Sequence, residues 1–378
     1  MAFELYFAVI HSFEKEQFKK GVNHNKTVIQ PLFNPQKPAV IKLVQDIHTL
    51  LGKEKNKVFW GQFSDGKREG LFPDGIRKYI SSPNDTKIFE DLSKTVLSEL
   101  IKQADDSLLA TGGHILISAY RSEGRHFLLV TSVKEKDGLR LGKNYEPIES
   151  ANIDFSQIAH AARINIDKFK SYGQPMHLAE AEETDKTYLC FISKGKSDAS
   201  RYFIEALGCE KGITSARATK KAIDLVYEYF KGNEKLSPFK KPAKEAVIRY
   251  LRAKLDSEHE ESEKKASLDG IINAAKSAIP AEFAELASEI DSLSDELNSE
   301  ENQLPQEFTV NRAELNKRIK MKGSTSNWEL EFETSALGDT ANSSVFYDKD
   351  HQTLTLSSIP DDLKIKIEKQ LFGEEKNV

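Results

Sequence analysis

The chain is poor in cysteine and in long apolar runs. Its 378 residues include only two cysteines, Cys190 and Cys209, too few for a disulfide framework and without the CxxC spacing of a zinc site. Core thiols in a reducing compartment are the simplest interpretation. No apolar stretch approaches the roughly 20 residues that span a bilayer, and Met1-Ala2-Phe3-Glu4-Leu5 does not resemble the start of a secretory signal. These absences predict a cytoplasmic protein without membrane contact.

Motifs of catalytic sites are also scarce. The nine histidines form no HxH or HExxH pattern, and Lys194-Gly195-Lys196-Ser197 lacks the upstream glycine of a phosphate-binding P-loop. The acidic pairs Asp105-Asp106, Glu182-Glu183 and Asp361-Asp362 fall in loops or at helix starts, where capping and solvation explain them. We therefore predict a protein that is not an enzyme and has no cofactor or metal. A metal-dependent nuclease remains the less favoured alternative, because its carboxylates need no recognisable motif.

The apolar residues are sufficient for two or three folding units. They make up 39% of the chain and are patterned into helices and strands in its first 175 residues. The predicted elements are a strand at 3–13, helices at 38–51 and 87–103, a hairpin of strands at 114–120 and 125–130, and a further strand near 139–141 that would extend the meander. We predict the α+β class, with an N-terminal antiparallel sheet and helices over 1–175, followed by a mixed helical and β-hairpin C-terminal part.

The remaining chain divides into three predicted segments. The first, 176–257, has a strand at 187–193 and helices at 199–207, 214–230 and 243–257; the second, 258–305, is acidic, with helices at 267–278 and 281–297 and a linker at 294–305; the third, 306–378, has strands and a terminal helix that starts near 359. In the last segment we expect five apolar residues to be buried and to contribute to a dimer interface: Val345, Phe346, Leu354, Leu356 and Leu363.

Charge is strongly segregated along the chain, although its net value is only −5. Residues 211–254 hold twelve basic and four acidic residues, a net charge of +8, and residues 255–303 carry −11. Residues 312–322 turn positive again, at +4. A segregated positive surface is what a protein needs in order to bind nucleic-acid phosphates. The adjacency of opposite charges also suggests that the acidic segment competes with DNA for the basic surface.

Helical spacing places part of the positive charge on one face. Arg217, Lys220, Lys221 and Asp224 follow i, i+3, i+4, i+7 spacing, which puts them on one side of the predicted 214–230 helix, opposite its apolar side. Solvated charge is the usual explanation of such a face, but the local excess of +8 favours phosphate binding. The candidate DNA-binding residues are Lys194, Lys196, Arg201, Lys211, Arg217, Lys220, Lys221, Lys240, Lys241, Lys244, Arg249, Arg252, Arg312, Lys317, Arg318 and Lys320.

Three sequence segments, taken in chain order, resemble one bacterial family. Residues 187–230 (TYLCFISKGKSDASRYFIEALGCEKGITSARATKKAIDLVYEYF) resemble the central segment of the nucleoid-associated proteins of the YejK/NdpA type. Residues 160–166 (HAARINI) resemble the strand that precedes it, and residues 345–363 resemble the closing hairpin and helix of that family. The acidic 255–303 segment is longer and more charged than the family pattern leads one to expect.

The resemblance implies a function in the bacterial nucleoid. It implies binding of double-stranded DNA with little sequence preference, a homodimer, and in some members a link to a type II topoisomerase; a specialised DNA-linked system such as phage defence is equally compatible. The alternative is a protein-interaction module without DNA contact. Its support is a row of apolar residues in the acidic segment, at Leu286, Ile290, Leu293 and Leu297, which are spaced to dock on a partner helix or to pack within the chain.

Overall fold

The N-terminal half is built on one antiparallel sheet. The computed structural model describes residues 3–53, 56, 58–64, 71–155, 158–172, 187–192, 198–211, 213–256, 265–340 and 342–373. The first ten strands are β1 (Phe3–Glu14), β2 (Asn23–Val28), β3 (Phe59–Phe63), β4 (Gly113–Ser122), β5 (Arg125–Val133), β6 (Glu135–Leu141), β7 (Pro147–Ile153), β8 (Ala161–Asn165), β9 (Leu189–Ile192) and β10 (Cys209–Lys211). Eight of them form the sheet, in the order β10-β3-β9-β8-β5-β4-β1-β2. The predicted α+β class with an N-terminal antiparallel sheet is confirmed.

The predicted extension of the meander by a strand near 139–141 is wrong. That strand, β6, pairs only with β7 in a separate hairpin, and β5 pairs instead with β8. The neighbour of β5 in the sheet is therefore about 30 residues further along the chain, and local periodicity cannot indicate such a pairing.

Helices cover both faces of the sheet. They are α1 (Pro38–Leu50), α2 (Leu71–Ser81), α3 (Thr86–Asp106), α4 (Ile166–Tyr172) and α5 (Asp198–Ala206). The Asp85 carboxylate starts α3 by accepting the backbone N–H groups of Lys87 and Ile88. Helices α2, α3 and α5 pack on one face and α1 on the other. The central strands are consequently buried on both sides and read as nearly continuous apolar runs.

A second apolar core lies in the C-terminal half. It is formed by α6 (Ser215–Gly232), α7 (Lys240–Asp256), α8 (Leu268–Lys276), α9 (Leu293–Leu297) and α10 (Arg312–Ile319), with the short strands β11 (Lys265–Ser267) and β12 (Glu307–Thr309) and a 3-10 segment at Ala281–Ile290. Its buried residues run from Ala218 to Leu315. This core therefore draws on all three of the segments into which the sequence divides this half.

The predicted linker at 294–305 is part of this packed structure, so that prediction is wrong. Asn298 is buried, and its Oδ1 accepts the Val58 N–H at 2.9 Å. Its Nδ2 donates to the carbonyl oxygens of Val58 (3.0 Å) and Leu304 (2.6 Å). Gln303 is buried as well and accepts the Thr187 hydroxyl at 2.6 Å. A buried segment whose polar side chains bond to backbone groups can have the same amino-acid composition as a solvated linker, which explains the error.

The C-terminal elements are largely exposed. They are the hairpin of β13 (Lys320–Ser324) and β14 (Glu329–Glu333), the sheet of β15 (Leu337–Gly338), β16 (Val345–Asp348) and β17 (Thr353–Leu356), and α11 (Asp361–Phe372). Val345 is buried as predicted and Phe346 is partly buried, but the predicted burial of Leu354, Leu356 and Leu363 is wrong for the single chain, in which all three are exposed. In the part of the chain that the structure describes, no helix could cross a membrane.

Candidate nucleic-acid interface

Helix α6 separates apolar and charged residues, as its spacing predicts. Thr214 begins it, its hydroxyl accepting the Arg217 N–H at 3.3 Å. One side is buried in the second core through Ala218, Ala222, Ile223, Val226 and Phe230. The charged residues occupy the opposite side. Burial of the apolar stripe fixes the rotation of α6 about its axis, and the cations consequently lie on the side away from the core.

The cations on this side of α6 have different partners. Lys221 donates to the backbone oxygen of Asn302 at 2.8 Å, which ties α6 to the segment that precedes β12. Asp224 forms a two-bond ion pair with Arg318 of α10. Lys221 and Arg318 therefore have structural contacts. Arg217 is half-buried, whereas Lys220 is exposed and makes no ion pair with another described residue.

Helix α7 adds a second set of cations beside the first. Seven residues connect it to α6, so the two packed helices run antiparallel, and the Lys244 ammonium lies 5.7 Å from the centre of the Tyr227 ring on α6. Its core side holds Ala243, Val247 and Leu251. The solvent side carries Lys241, Arg249 and Arg252, all exposed, while Lys240 and Lys244 are half-buried.

The ends of these helices strengthen the positive potential. The first turns of α6 and α7 contain no acidic residue, although a helix N-terminus carries a partial positive charge that acids usually offset. Asn311, which begins α10, donates its N–H to Thr219 at 2.9 Å, so α10 starts beside the first turns of α6. Arg312 there is exposed and, among the described residues, has no ion-pair partner. The N-termini of α6 and α7 lie at opposite ends of the antiparallel pair, and at each of them the cations of that helix add to its partial positive charge. The start of α10 differs, because Glu314 lies in its first turn.

The second positive segment, 312–322, is largely neutralised. The β13–β14 hairpin returns two glutamates to it, pairing Lys320 with Glu331 and Lys322 with Glu329. Glu333 accepts Arg252 of α7 at 3.1 Å, and Lys317 lies 3.4 Å from Glu314 within α10. The local charge of +4 in the sequence is therefore no measure of the charge on the surface.

Several acids of the 255–303 segment pair with cations of the sheet half of the chain. Glu300 pairs with Arg163 of β8 at 2.8 Å, and Glu301 pairs with Arg125 of β5 at 2.9 Å. Two described acids of the 255–303 segment pair with cations of the 211–254 segment: Asp256 lies 3.8 Å from Arg252, and Glu289 lies 2.6 Å from Lys235. Competition between the acidic segment and DNA thus receives little support from these contacts.

The apolar row in the acidic segment belongs to the core. Ile290, Leu293 and Leu297 are fully buried in the second core, and Leu286 packs against it. These residues are not available to a partner helix in this structure. Of the two interpretations of this row, docking on a partner helix and packing within the chain, packing within the chain is the correct one.

Some candidate residues cannot be placed. Lys194 and Lys196 lie outside the described residues, and Arg201 and Lys211 lie on α5 and β10 without described side chains. Among the candidate residues whose side chains the structure describes, six are exposed or half-buried and have no acidic partner in the described part of the chain: Lys220, Lys240, Lys241, Lys244, Arg249 and Arg312.

A buried polar cluster between sheet and second core was not predicted. The His48 Nδ1 lies 2.8 Å from the Tyr120 hydroxyl and 3.3 Å from Arg163, which in turn binds Glu300. Burial, with the nearby Arg163 charge, lowers the pKa of His48 to about 3. No spacing in the sequence brings these four residues together, because they come from α1, β4, β8 and the turn after α9. Within the described part of the chain, no group of three or more His, Cys, Asp or Glu side chains is arranged to hold a metal.

Comparison with known proteins identifies the family. The chain is 25% identical over 382 residues to a nucleoid-associated protein of Shewanella denitrificans, covering 99% of this chain and all of that protein. It is 23% identical to a nucleoid-associated protein of Pseudomonas paraeruginosa over 85% of each chain, and 22% identical to one of Azotobacter vinelandii over 89% and 90%. The family model described as nucleoid-associated protein YejK matches residues 9–364. The chain therefore belongs to the YejK family of nucleoid-associated proteins.

Proposed function

We propose that the protein binds double-stranded DNA through the phosphate backbone, on the surface formed by α6, α7 and the start of α10. The observation that carries this proposal is the electrostatic arrangement of α6 and α7. Their first turns hold no acid, and Lys220, Lys240, Lys241 and Lys244 follow at or near their positive ends. Such an arrangement is destabilising by itself and becomes favourable when an anion binds.

The chemistry of these cations supports binding with little sequence preference. Lysine ammonium groups on long, exposed side chains bind phosphates as point charges, whereas base recognition requires side chains held in a fixed geometry. We further propose that the protein is not an enzyme and that it acts in the nucleoid, within the bacterial cytoplasm. The name of its relatives, nucleoid-associated proteins, supports the first location. A link to a type II topoisomerase stays an implication of the resemblance.

We also propose a homodimer formed through the C-terminal elements. Eight apolar residues between β17 and the end of α11 are exposed: Leu354, Leu356, Ile359, Leu363, Ile365, Ile367, Leu371 and Phe372. A helix of 12 residues without buried side chains is marginal in water. Its first turn is acidic and its last turn basic, so two copies in antiparallel contact would oppose unlike charges. The segments outside the described residues contain few apolar side chains, which favours a second copy as the occupant.

The DNA-binding proposal is tested by charge reversal. We expect the Lys220→Glu, Lys241→Glu, Arg249→Glu variant to lose affinity for all duplex sequences about equally. The slope of log affinity against log salt should decrease by about 0.9 for each phosphate that the variant no longer binds. The measurement is fluorescence anisotropy with labelled duplexes at several salt concentrations.

The matched control reverses three exposed lysines on the other half of the molecule. The variant Lys87→Glu, Lys94→Glu, Lys102→Glu on α3 changes the net charge by the same amount. Its affinity should decrease much less, through long-range repulsion alone. An equal loss of affinity in the two folded variants, or none in the first, would contradict the proposal.

A further inference from the structure

The β13–β14 hairpin projects from the proposed DNA-binding surface. Strand β13 is exposed along its whole length, and five residue pairs connect it to β14. At the base, Thr334 donates its hydroxyl to the Ile319 carbonyl at 2.9 Å and Glu333 accepts Arg252. With about 3.3 Å per residue, the tip stands roughly 13 Å beyond the base.

The anchor of the hairpin lies on the cationic side of α7. Arg252 shares the exposed stripe of α7 with Lys241 and Arg249, and it is the residue that holds Glu333. The hairpin also continues directly from α10, which starts beside α6. A duplex bound along this surface would therefore have the hairpin beside it.

The tip is uncharged and ends in an exposed aromatic ring. Residues 323–328 read Gly-Ser-Thr-Ser-Asn-Trp, and the Thr325 N–H donates to the Trp328 carbonyl at 2.8 Å. The Trp328 side chain is 54% exposed, whereas the only other tryptophan, Trp60, is 2% exposed in the sheet. Below the tip, Lys320 and Lys322 are paired with glutamates. The hairpin therefore offers no unpaired cation to phosphates. The groups at its tip are hydroxyls, an amide and an indole.

We propose that this tip enters a groove of the bound duplex and that Trp328 contacts sugars and base edges there. A two-stranded ribbon fits the major groove, and apolar side chains on such projections wedge between base steps from the minor groove. The uncharged tip can approach the duplex without repulsion and offers hydrogen bonds to both phosphate and base edges. The inference rests on the proposed DNA binding and adds an aromatic contact to it.

Intrinsic fluorescence tests the inference directly, because Trp60 is shielded and acrylamide quenching reports mainly on Trp328. The full-length protein is titrated with a 20-base-pair duplex at low salt, alongside anisotropy on the same samples. We expect the quenching constant to fall at least about twofold, with the same midpoint as binding. Binding without protection of Trp328 would overturn the inference and leave the proposed function intact; no binding at all would overturn the proposed function.

A substitution separates the aromatic contact from the phosphate contacts. Trp328→Ala should weaken binding at least about fivefold, the lower end of the range for one aromatic side chain stacked on a base. The salt dependence should stay unchanged, because every phosphate-binding cation is still present. Met321→Ala is the control, since Met321 is an exposed apolar residue on the same hairpin. Equal affinities for Trp328→Ala and wild type, or equal losses in the two variants, would overturn the inference.

Discussion

Two buried histidines are held in the neutral form by their burial and by a positive charge nearby. The His48 Nδ1 lies 2.8 Å from the Tyr120 hydroxyl and accepts from Arg163 at 3.3 Å, so a proton on this nitrogen would remove the bond from Arg163. The His11 Nδ1 accepts the Gln30 N–H at 3.2 Å. Burial, with the neighbouring Lys94 charge, lowers the pKa of His11 to about 4. Both residues therefore resist protonation while the protein is folded.

These lowered pKa values predict a loss of stability in mild acid. In the unfolded chain each histidine binds a proton near pH 6.5, and in the folded chain only near pH 4 or 3. Stability is thus complete above pH 6.5 and decreases as the pH falls. Each histidine should contribute a loss of about 2 kcal/mol between pH 6.5 and 5. Urea unfolding at several pH values measures the slope.

Asparagine variants check which residues cause this slope. The Oδ1 of asparagine can take the place of Nδ1 as an acceptor and does not titrate, so His11→Asn with His48→Asn should flatten the stability curve between pH 6.5 and 5. His351→Asn changes an exposed histidine and is the control. A double variant with the wild-type slope would show that other groups are responsible.

At the scale of helices and strands, prediction succeeded where the pattern is local. The spacing of Val40, Leu43 and Ile47 predicts α1, and the apolar stripe of α6 predicts both the helix and its cationic side, because a helix repeats every 3.6 residues. The hairpin of β4 and β5 is also local, with only Glu123 and Gly124 between its strands.

Prediction failed where partners lie far apart in the sequence. The neutralisation of Lys320 comes from Glu331 across a hairpin, and the burial of Asn298 comes from Val58, 240 residues away. A charge count over a sequence window includes only near neighbours, so it overstated the positive charge that the 312–322 segment presents on the surface. For the same reason the count could not reveal the buried cluster around His48. The cationic side of α6 and α7 could be predicted from the sequence because both helices are amphipathic.

Helix α11 provides the test of the dimer. Leu363, Ile367 and Leu371 lie on one stripe of this exposed helix. If that stripe contacts a second copy, Ile367→Glu should shift the protein from dimer to monomer, because it places a charge in an apolar contact. Sedimentation velocity over a range of protein concentrations measures the change.

The control concerns a competing surface. Leu139 is an exposed apolar residue on the β6–β7 hairpin, which also has an exposed apolar side. Leu139→Glu should leave the dimer intact. Dissociation by Leu139→Glu but not by Ile367→Glu would place the interface on that hairpin, and a monomeric wild type would exclude the dimer.

At the scale of the whole molecule, the acidic segment fastens the two cores together. Asn298 and Gln303 bond to residues of the sheet half, and Glu300 reaches Arg163 in β8. The negative charge of this segment is therefore partly structural. It connects the core that carries the cationic helices to the sheet.

Adjacent glutamates in this segment provide the corresponding prediction. Glu300 and its partner Arg163 are 12% and 7% exposed, whereas the Glu301 side chain is 61% exposed in its pair with Arg125. Glu300→Gln leaves a buried guanidinium without a counter-charge, and we expect it to lower the free energy of unfolding by about 3–5 kcal/mol. Glu301→Gln removes a surface pair and should cost less than about 1 kcal/mol. Urea unfolding measures both variants, and hydrogen exchange should show loss of protection in β8 and in α6 together after Glu300→Gln. Equal small effects, or loss of protection in the sheet alone, would mean that the two cores are held together by other contacts.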